Sequence, residues 1–504
     1  MGGSFVAKTY KVIIPPSACG MRLSTYLAEN GYPINAACGG MGICNKCLVA
    51  LEKGQLFSSP TPDATPLVPD ENGQVRACRA FCGKKETHIC LIANELTKEK
   101  AATTVPQSQS YGVALDIGTT TLAASLVALP SGTVLDTYTA LDPLTTFGAD
   151  VVSRMHACQN GHLSAMQNTL LAAVRDMLSY FKHKLPKDAH LSALACVGNT
   201  TMLHLFWGIS PCGMAAYPFT PAFTDMKTAD GGALSLDVDT VYTLPSATAF
   251  FGADAISGIV HTELCDSPLP TLLIDLGTNG ELALYTGKED DRLFVTSTAA
   301  GPAFEGAGIS TGVGGVEGAV CRVTPRGRSA FSIATVGGAS PIGICGAALI
   351  DIVYALRLQG RLDETGYLRD GFAIYAQGER GTLSITQEDI RAFQVAKSAI
   401  RAGIDALLSA ADLPFSALDT ILLGGGMGQY LHIKEAQSIG LLPNTCKKTQ
   451  SVQNCALGGA VAFLGGGCDA SPYRKTASRA LHVELNDSPI FSSAFMAHMR
   501  LDRS

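Results

Sequence analysis

A chain of 504 residues with 47% hydrophobic and 16% charged side chains is too long for one compact core, and two to four domains are expected of so ordinary a soluble composition. The formal net charge of −6 argues against nucleic acid as a partner, which asks for a basic surplus, and no apolar run approaches the length of a membrane span. The first residues lack the apolar core and small-residue cleavage site of a signal peptide, and sixteen cysteines, most of them scattered singly, read as a reducing, cytoplasmic chain rather than a disulfide framework. Cys196, Cys321, Cys345 and Cys455 stand among apolar or glycine neighbours and are expected to pack in cores.

In chain order, residues 8–15 alternate polar and apolar, a strand signal, and residues 23–31 show helical apolar spacing ending in Gly31. A cysteine loop follows, Cys38-Gly-Gly-Met-Gly-Ile-Cys44-Asn-Lys-Cys47, and strand-like sequence resumes from Leu48. Strand hairpin, helix, cysteine loop, strand is the order of a β-grasp ferredoxin. A [2Fe–2S] cluster needs four thiolates, and the C-x5-C-x2-C spacing offers three, one residue longer in its first gap than the plant type. Gly39, Gly40 and Gly42 let the loop wrap a cluster. Cys78 suits best as the fourth ligand, with Cys82 and Cys90 as competitors. A zinc site would want a second C-x2-C or a His pair, and the sequence has neither. The loop is similar to those of adrenodoxin-like ferredoxins.

Residues 96–110 are small and polar and read as a flexible linker. From residue 111 strands and helices alternate, and one pattern occurs twice: Asp116-Ile-Gly118-Thr119-Thr120 and Asp275-Leu-Gly277-Thr278-Asn279-Gly280, each between apolar runs. Two strand–turn–strand units of this kind imply a duplicated lobe facing its copy across a cleft. The chain has no Walker A loop, so phosphates must be held otherwise. A Gly-Thr turn offers backbone N–H groups and hydroxyls to phosphate oxygens, and an Asp two residues earlier can orient Mg²⁺ or water. Residues 421–428 then read as a strand entering a glycine turn, where Gly424, Gly425, Gly426 and Gly428 would let an adenosine lie close. His204, in an apolar run, is expected to be a core histidine, and the tail after residue 467 carries no clear pattern.

These three glycine turns resemble the two phosphate loops and the adenosine motif of the actin, sugar-kinase and Hsp70 superfamily. A ferredoxin followed by such an ATPase resembles the reductive activators of corrinoid proteins, and the segments at 197–211, 299–307 and 453–460 agree with that family. The fold implied is α/β: duplicated actin-like (ribonuclease H-like) lobes preceded by a small α+β β-grasp ferredoxin domain. Its expected divisions are a ferredoxin domain at 1–95, a linker at 96–110, lobes at 111–268 and 269–467, and a tail at 468–504.

The resemblance implies ATP-driven transfer of one electron from the [2Fe–2S] cluster to an inactive Co(II) corrinoid protein, restoring Co(I). Cys38, Cys44, Cys47 and Cys78 would hold the cluster. Asp116 and Asp275 would position Mg²⁺ and water, and Glu281 and Glu305 could each act on water or serve a surface or structural role. Gly118, Thr119, Thr120, Gly277, Thr278, Asn279 and Gly280 would line the phosphates. The partners implied are the corrinoid protein of a methyltransferase system and an unspecified electron donor, without nucleic acid or membrane; a homodimer stays open. An iron–sulfur sugar-kinase-like phosphotransferase and an ATP-driven activator of another metalloenzyme are the alternatives.

Overall fold

A computed structural model describes residues 4–30, 32, 47–61, 64–70, 73–97, 110–186, 188–326, 330–369, 372–378, 381–425, 431–444, 446–452 and 454–501. Cys38, Cys44, Gly426, Gly428 and most of the expected linker, residues 98–109, lie outside them. The first unit holds β1 (Ser4–Ile14), α1 (Leu23–Glu29), β2 (Leu48–Lys53), β3 (Leu56–Phe57), β4 (Gln74–Arg76), β5 (Phe81–Cys82) and β6 (Thr87–Thr97). The alternation read in β1 is real: Val12 and Ile14 are buried while Lys11 and Ile13 face water. Four of these strands form one sheet in the order β1-β6-β2-β4, and α1 packs against the turn at Ala77–Arg79. β6 runs to Thr97 and the next strand starts at Ser110, so strand takes both ends of the expected linker.

The second unit holds β7 (Ser110–Ile117), β8 (Thr121–Leu129), β9 (Thr133–Leu141), α2 (Val151–Gln159), α3 (Leu163–Lys182), β10 (Leu191–Gly198), α4 (Thr200–Trp207), β11 (Lys227–Asp230), β12 (Thr240–Thr243) and α5 (Ala253–His261). Its sheet order is β11-β12-β10-β7-β8-β9. The third unit starts with β13 (Thr271–Leu276), β14 (Gly280–Tyr285) and β15 (Leu293–Thr298). A small sheet follows, made of β16 (Ala319–Arg326), β17 (Ala330–Thr335) and β18 (Gly343–Ile344). Next come α6 (Gly346–Leu358), the hairpin of β19 (Phe372–Gly378) and β20 (Gly381–Ile385), and α7 (Gln387–Ala410). The chain closes with β21 (Thr420–Gly424), α8 (Ile433–Ser438), β22 (Lys448–Ser451), α9 (Cys455–Gly465), α10 (Ser471–Arg479), β23 (Ala480–His482) and α11 (Pro489–Ala497).

The large sheet of this unit is ordered β22-β21-β13-β14-β15-β23. The repeat seen in the sequence is therefore a repeat of topology. In each lobe three antiparallel strands (β7-β8-β9, β13-β14-β15) are extended by two parallel ones (β10-β12, β21-β22).

The inner faces of both sheets share one core. Leu273, Ala283 and Tyr285 on one side and strand β7 on the other join it, with α5 and α9 between. The two helices approach closely because a side chain at Gly459 would stand 2.4 Å from the Ser257 carbonyl oxygen. α9 belongs by sequence to the second lobe, yet it packs on β7, β8 and β10 of the first. The outer face of the second sheet, with Leu272, Ile274 and Leu276, packs beneath α6 and α7.

The patternless tail is also built in. β23 pairs with β15, and α11 lies along α7, where the buried Lys397 ammonium donates to the carbonyl of His498, 2.7 Å away, and to that of Arg500. Cys196, Cys345 and Cys455 are buried as expected, but Cys321, on β16 of the small three-stranded sheet, is only half-buried. None of the described helices is long and apolar enough to cross a membrane.

Candidate functional site

Two thiols of the cluster reading are placed together. Cys47 enters β2, and Cys78 sits in the turn leaving β4, its antiparallel neighbour, where the Ala77 N–H donates to the Cys47 carbonyl at 2.9 Å. Both side chains are 1% exposed. Cys82 follows a different path: its strand pairs with Leu56, its backbone bonds Met21 and Gly20, and burial, with the Cys19 thiol beside it, pushes its own thiol up to about 11. Cys90 sits mid-strand opposite Lys11 and Ala50. Two buried thiols at one end of the sheet suit soft metal ligands; Cys38 and Cys44 complete the expected set from outside the described residues.

The two Asp-x-Gly-Thr segments are the turns of hairpins β7–β8 and β13–β14. Gly118 N–H donates to Thr121 O at 3.1 Å, and Gly277 N–H to Asn279 O at 3.0 Å. The two-residue period of a strand puts Asp116 on the face of Ala114, and Asp275 on the face of Leu273, both toward the shared core. Glu281 is the direct cross-strand partner of Asp275 and shares its face. Glu305, closing the 3-10 turn at Pro302–Glu305, ties the lobes together: one carboxylate oxygen accepts from Thr120 Oγ1 at 2.8 Å and from Thr278 Oγ1 at 2.7 Å. Asn199 caps α4 by accepting from Met202 N–H and gives its amide to Thr119 Oγ1 at 3.1 Å.

The cleft floor is strongly acidic. Each of these carboxylates keeps some contact with the cleft, yet protein surrounds it otherwise, so loss of water dominates. Burial raises Asp116 well above the usual carboxylate range, and the charges of Asp254 and Asp275 add to it. Burial, then Asp254 and Glu305, pushes Asp275 up to about 7. Glu281 is raised well above its usual value by burial, Asp254 and Asp275, partly offset by Ser297 Oγ donating at 3.3 Å. Asp254, in the first turn of α5, stands at about 6 through burial. The sequence reading missed Asp254, because a lone Asp in Gly-Ala-Asp-Ala carries no motif; only its place at a helix start could have hinted at it.

Among the described residues no three His, Cys, Asp or Glu side chains surround one point as metal ligands. Such a floor suits a cation carried in with phosphate oxygens and water, the usual Mg²⁺ arrangement. Gly424 and Gly425 press on the second hairpin: a side chain at Gly425, whose φ is +83°, would lie 2.4 Å from Leu276 O and 2.7 Å from Asp275 Oδ1. The third glycine turn thus meets the second at backbone distance. His204 is a core histidine, its Nδ1 2.7 Å from Thr200 O, its Nε2 accepting from Ala222 N–H, and its ring stacked on Phe223.

Residues 10–83 match the 2Fe-2S iron-sulfur cluster binding domain, residues 111–267 the RACo middle region, and residues 270–504 the C-terminal domain of RACo, the ASKHA domain. The chain is 30% identical over 451 residues to the corrinoid activation enzyme RamQ of Eubacterium limosum, covering 82% of this chain and 74% of that one. It is 27% identical over 390 residues to the [Co(II) methylated amine-specific corrinoid protein] reductase of Methanosarcina barkeri, covering 69% and 68%. The solved structure of a reductive activator for corrinoid, iron-sulfur protein superposes with a TM-score of 0.71 at 26% identity over 98% of both chains. A ferredoxin unit and a duplicated two-lobed unit, matched in this order along nearly the whole chain, make this protein a member of the RACo family of corrinoid activators.

Proposed function

We propose that this protein is an ATP-dependent reductive activator that returns a corrinoid protein from inactive Co(II) to Co(I). The observation that carries this reading is one chain holding both the thiol pair Cys47/Cys78 and a cleft where two Gly-Thr hairpins meet at Glu305, in a chain 30% identical to a corrinoid activation enzyme. A reduced [2Fe–2S] cluster supplies one electron when bound, and Cys38, Cys44, Cys47 and Cys78 are assigned to hold it. Moving that electron uphill costs roughly 2.3 kcal/mol per 100 mV, which is why hydrolysis of ATP to ADP and phosphate accompanies it.

The chain's own residues divide the work on ATP. The Thr119 and Thr120 turn and the Thr278–Gly280 turn hold phosphate oxygens from opposite lobes. The turn at Gly424–Gly425 admits the adenosine. Asp116 and Asp275 are assigned to Mg²⁺ and its waters; a cation there would favour their ionised forms and offset the burial and repulsion that raise them. Glu281, whose carboxyl burial makes more basic than usual, and Glu305, already bonded to both hairpins, are the groups that hold or take the proton of the attacking water. Phosphate entry competes with Glu305 for the Thr120 and Thr278 hydroxyls, so occupancy and lobe position are linked. Cysteines scattered singly through the chain support a cytoplasmic setting.

The test is anaerobic mixing of the reduced protein with Co(II) corrinoid proteins, with and without Mg-ATP, followed by cobalt absorbance. Co(I) should form only with nucleotide; full reduction without it would overturn the coupling.

A further inference from the structure

The first phosphate turn is fastened to the rest of its lobe by a buried ion pair that the function above does not use. Arg154 of α2 and Asp142 are both 0% exposed and meet at 2.8 Å. Removing two charges from water is unfavourable unless each polar atom is satisfied, so such a pair is weak evidence for stability and asks for another role. Here all three guanidinium nitrogens are engaged. Nε donates to Gly148 O at 3.1 Å, Nη1 to Asp142 Oδ2 and Met202 Sδ, and Nη2 to Thr119 O at 2.6 Å. The Asp142 N–H donates in turn to Thr120 O at 2.9 Å.

In a trans peptide the carbonyl and the following N–H point in opposite directions. Arg154 pulls the Thr119 carbonyl back into the lobe and so turns the Thr120 N–H the other way. Asp142 also caps the 3-10 turn at Pro143–Thr146 through the Leu144 N–H. That turn is the surface on which α1 of the ferredoxin unit rests, and α1 in turn packs on the turn that carries Cys78.

We infer that Arg154 is a positioning residue: it sets the first phosphate turn for ATP and joins it through Asp142 to the seat of the ferredoxin unit, so that nucleotide occupancy is felt at α1. This deepens the function proposed above and rests on reading Gly118–Thr120 as a phosphate turn. Lysine at 154 keeps a positive charge for Asp142 but lacks the fork that also reaches Thr119 and Gly148.

The test uses the full, anaerobically purified chain. Arg154→Lys should keep the visible cluster spectrum and bind adenosine as the parent does, within about twofold. Its affinity for the magnesium complex of a non-hydrolysable ATP analogue should fall by about tenfold or more, the loss expected for a charge-assisted bond. Hydrogen exchange of residues 23–29 should change on adding that analogue to the parent, and stay unchanged in Arg154→Lys at saturating analogue. Thr146→Arg, in the seat turn but not one of the groups that Arg154 or Asp142 bonds, should bind the analogue yet lose the response of α1; it serves if the lysine variant fails to fold.

A lysine variant with parental analogue affinity would overturn the positioning role, as would one that loses adenosine and triphosphate equally. A parent whose α1 exchange ignores nucleotide would overturn the link to the ferredoxin unit. A parent that binds no nucleotide would instead remove the function on which both stand.

Discussion

Asp275 destabilises the cleft when it is empty. Its carboxyl stands at about 7 in the folded chain against 3.8 for an unperturbed group. Between those values the folded state holds a proton that the unfolded state has lost, so stability falls as pH rises through this window and levels off above it. At about 1.4 kcal/mol per pK unit the full penalty is about 4 kcal/mol at alkaline pH. Because its titration is linked to the charges of Asp254 and Glu305, this figure is the upper bound of what one substitution recovers.

Asp275→Asn, measured without metal or nucleotide, should therefore be more stable than the parent at pH 8, with the advantage shrinking toward pH 5. Urea unfolding followed by the single tryptophan, Trp207, reads the two-lobed unit rather than the cluster domain. ATP hydrolysis by the variant should be abolished. A stability difference that does not vary with pH, or an asparagine variant weaker than the parent at pH 8, would refute the account of an acidic floor held under strain for its cation.

Glu305→Gln keeps an oxygen able to accept from Thr120 and Thr278 but loses the charge, so steady-state ATP turnover should fall by about 10²-fold or more, with nucleotide affinity unchanged or tighter; turnover within threefold of the parent would reduce Glu305 to a clasp. Cys44→Ser should lose the visible cluster spectrum and cobalt reduction while keeping ATP hydrolysis, checked by absorbance and phosphate release. Removing residues 489–504 takes away two carbonyls that the buried Lys397 engages together with helix α11, and thermal unfolding of the truncated chain should shift down by several degrees, in line with about 3 kcal/mol for weakening the contacts of a buried charge.

The parts of this molecule legible in its sequence are those whose chemistry forces a local pattern. Three thiols in ten residues, and an Asp-x-Gly-Thr turn between apolar runs, seldom arise without a ligand to hold, and the repeat at Asp116 and Asp275 did foretell the repeated topology. What stayed hidden depends on partners far along the chain. Glu305 meets Thr120 across 185 positions, and Asp254 joins the cleft only because α5 is wedged between two sheets. Arg154 and Asp142 look like ordinary surface charges until the fold buries both. The tail after residue 467 carries no motif that names its neighbours; Lys397, 101 residues before His498, and Gln394, Arg357 and Asp405 supply polar contacts that hold it.

The return of α9 to the first sheet has a consequence for biosynthesis. The strands of that sheet leave the ribosome long before their cover does: α5 ends at His261, and α9 begins at Cys455, roughly 190 residues later. At ~5–20 residues per second the apolar inner surface waits some tens of seconds for its second helix. A nascent chain stalled in that interval would present a sticky half-built lobe, so holdase chaperones and slow growth temperatures should decide how much active protein a cell can make.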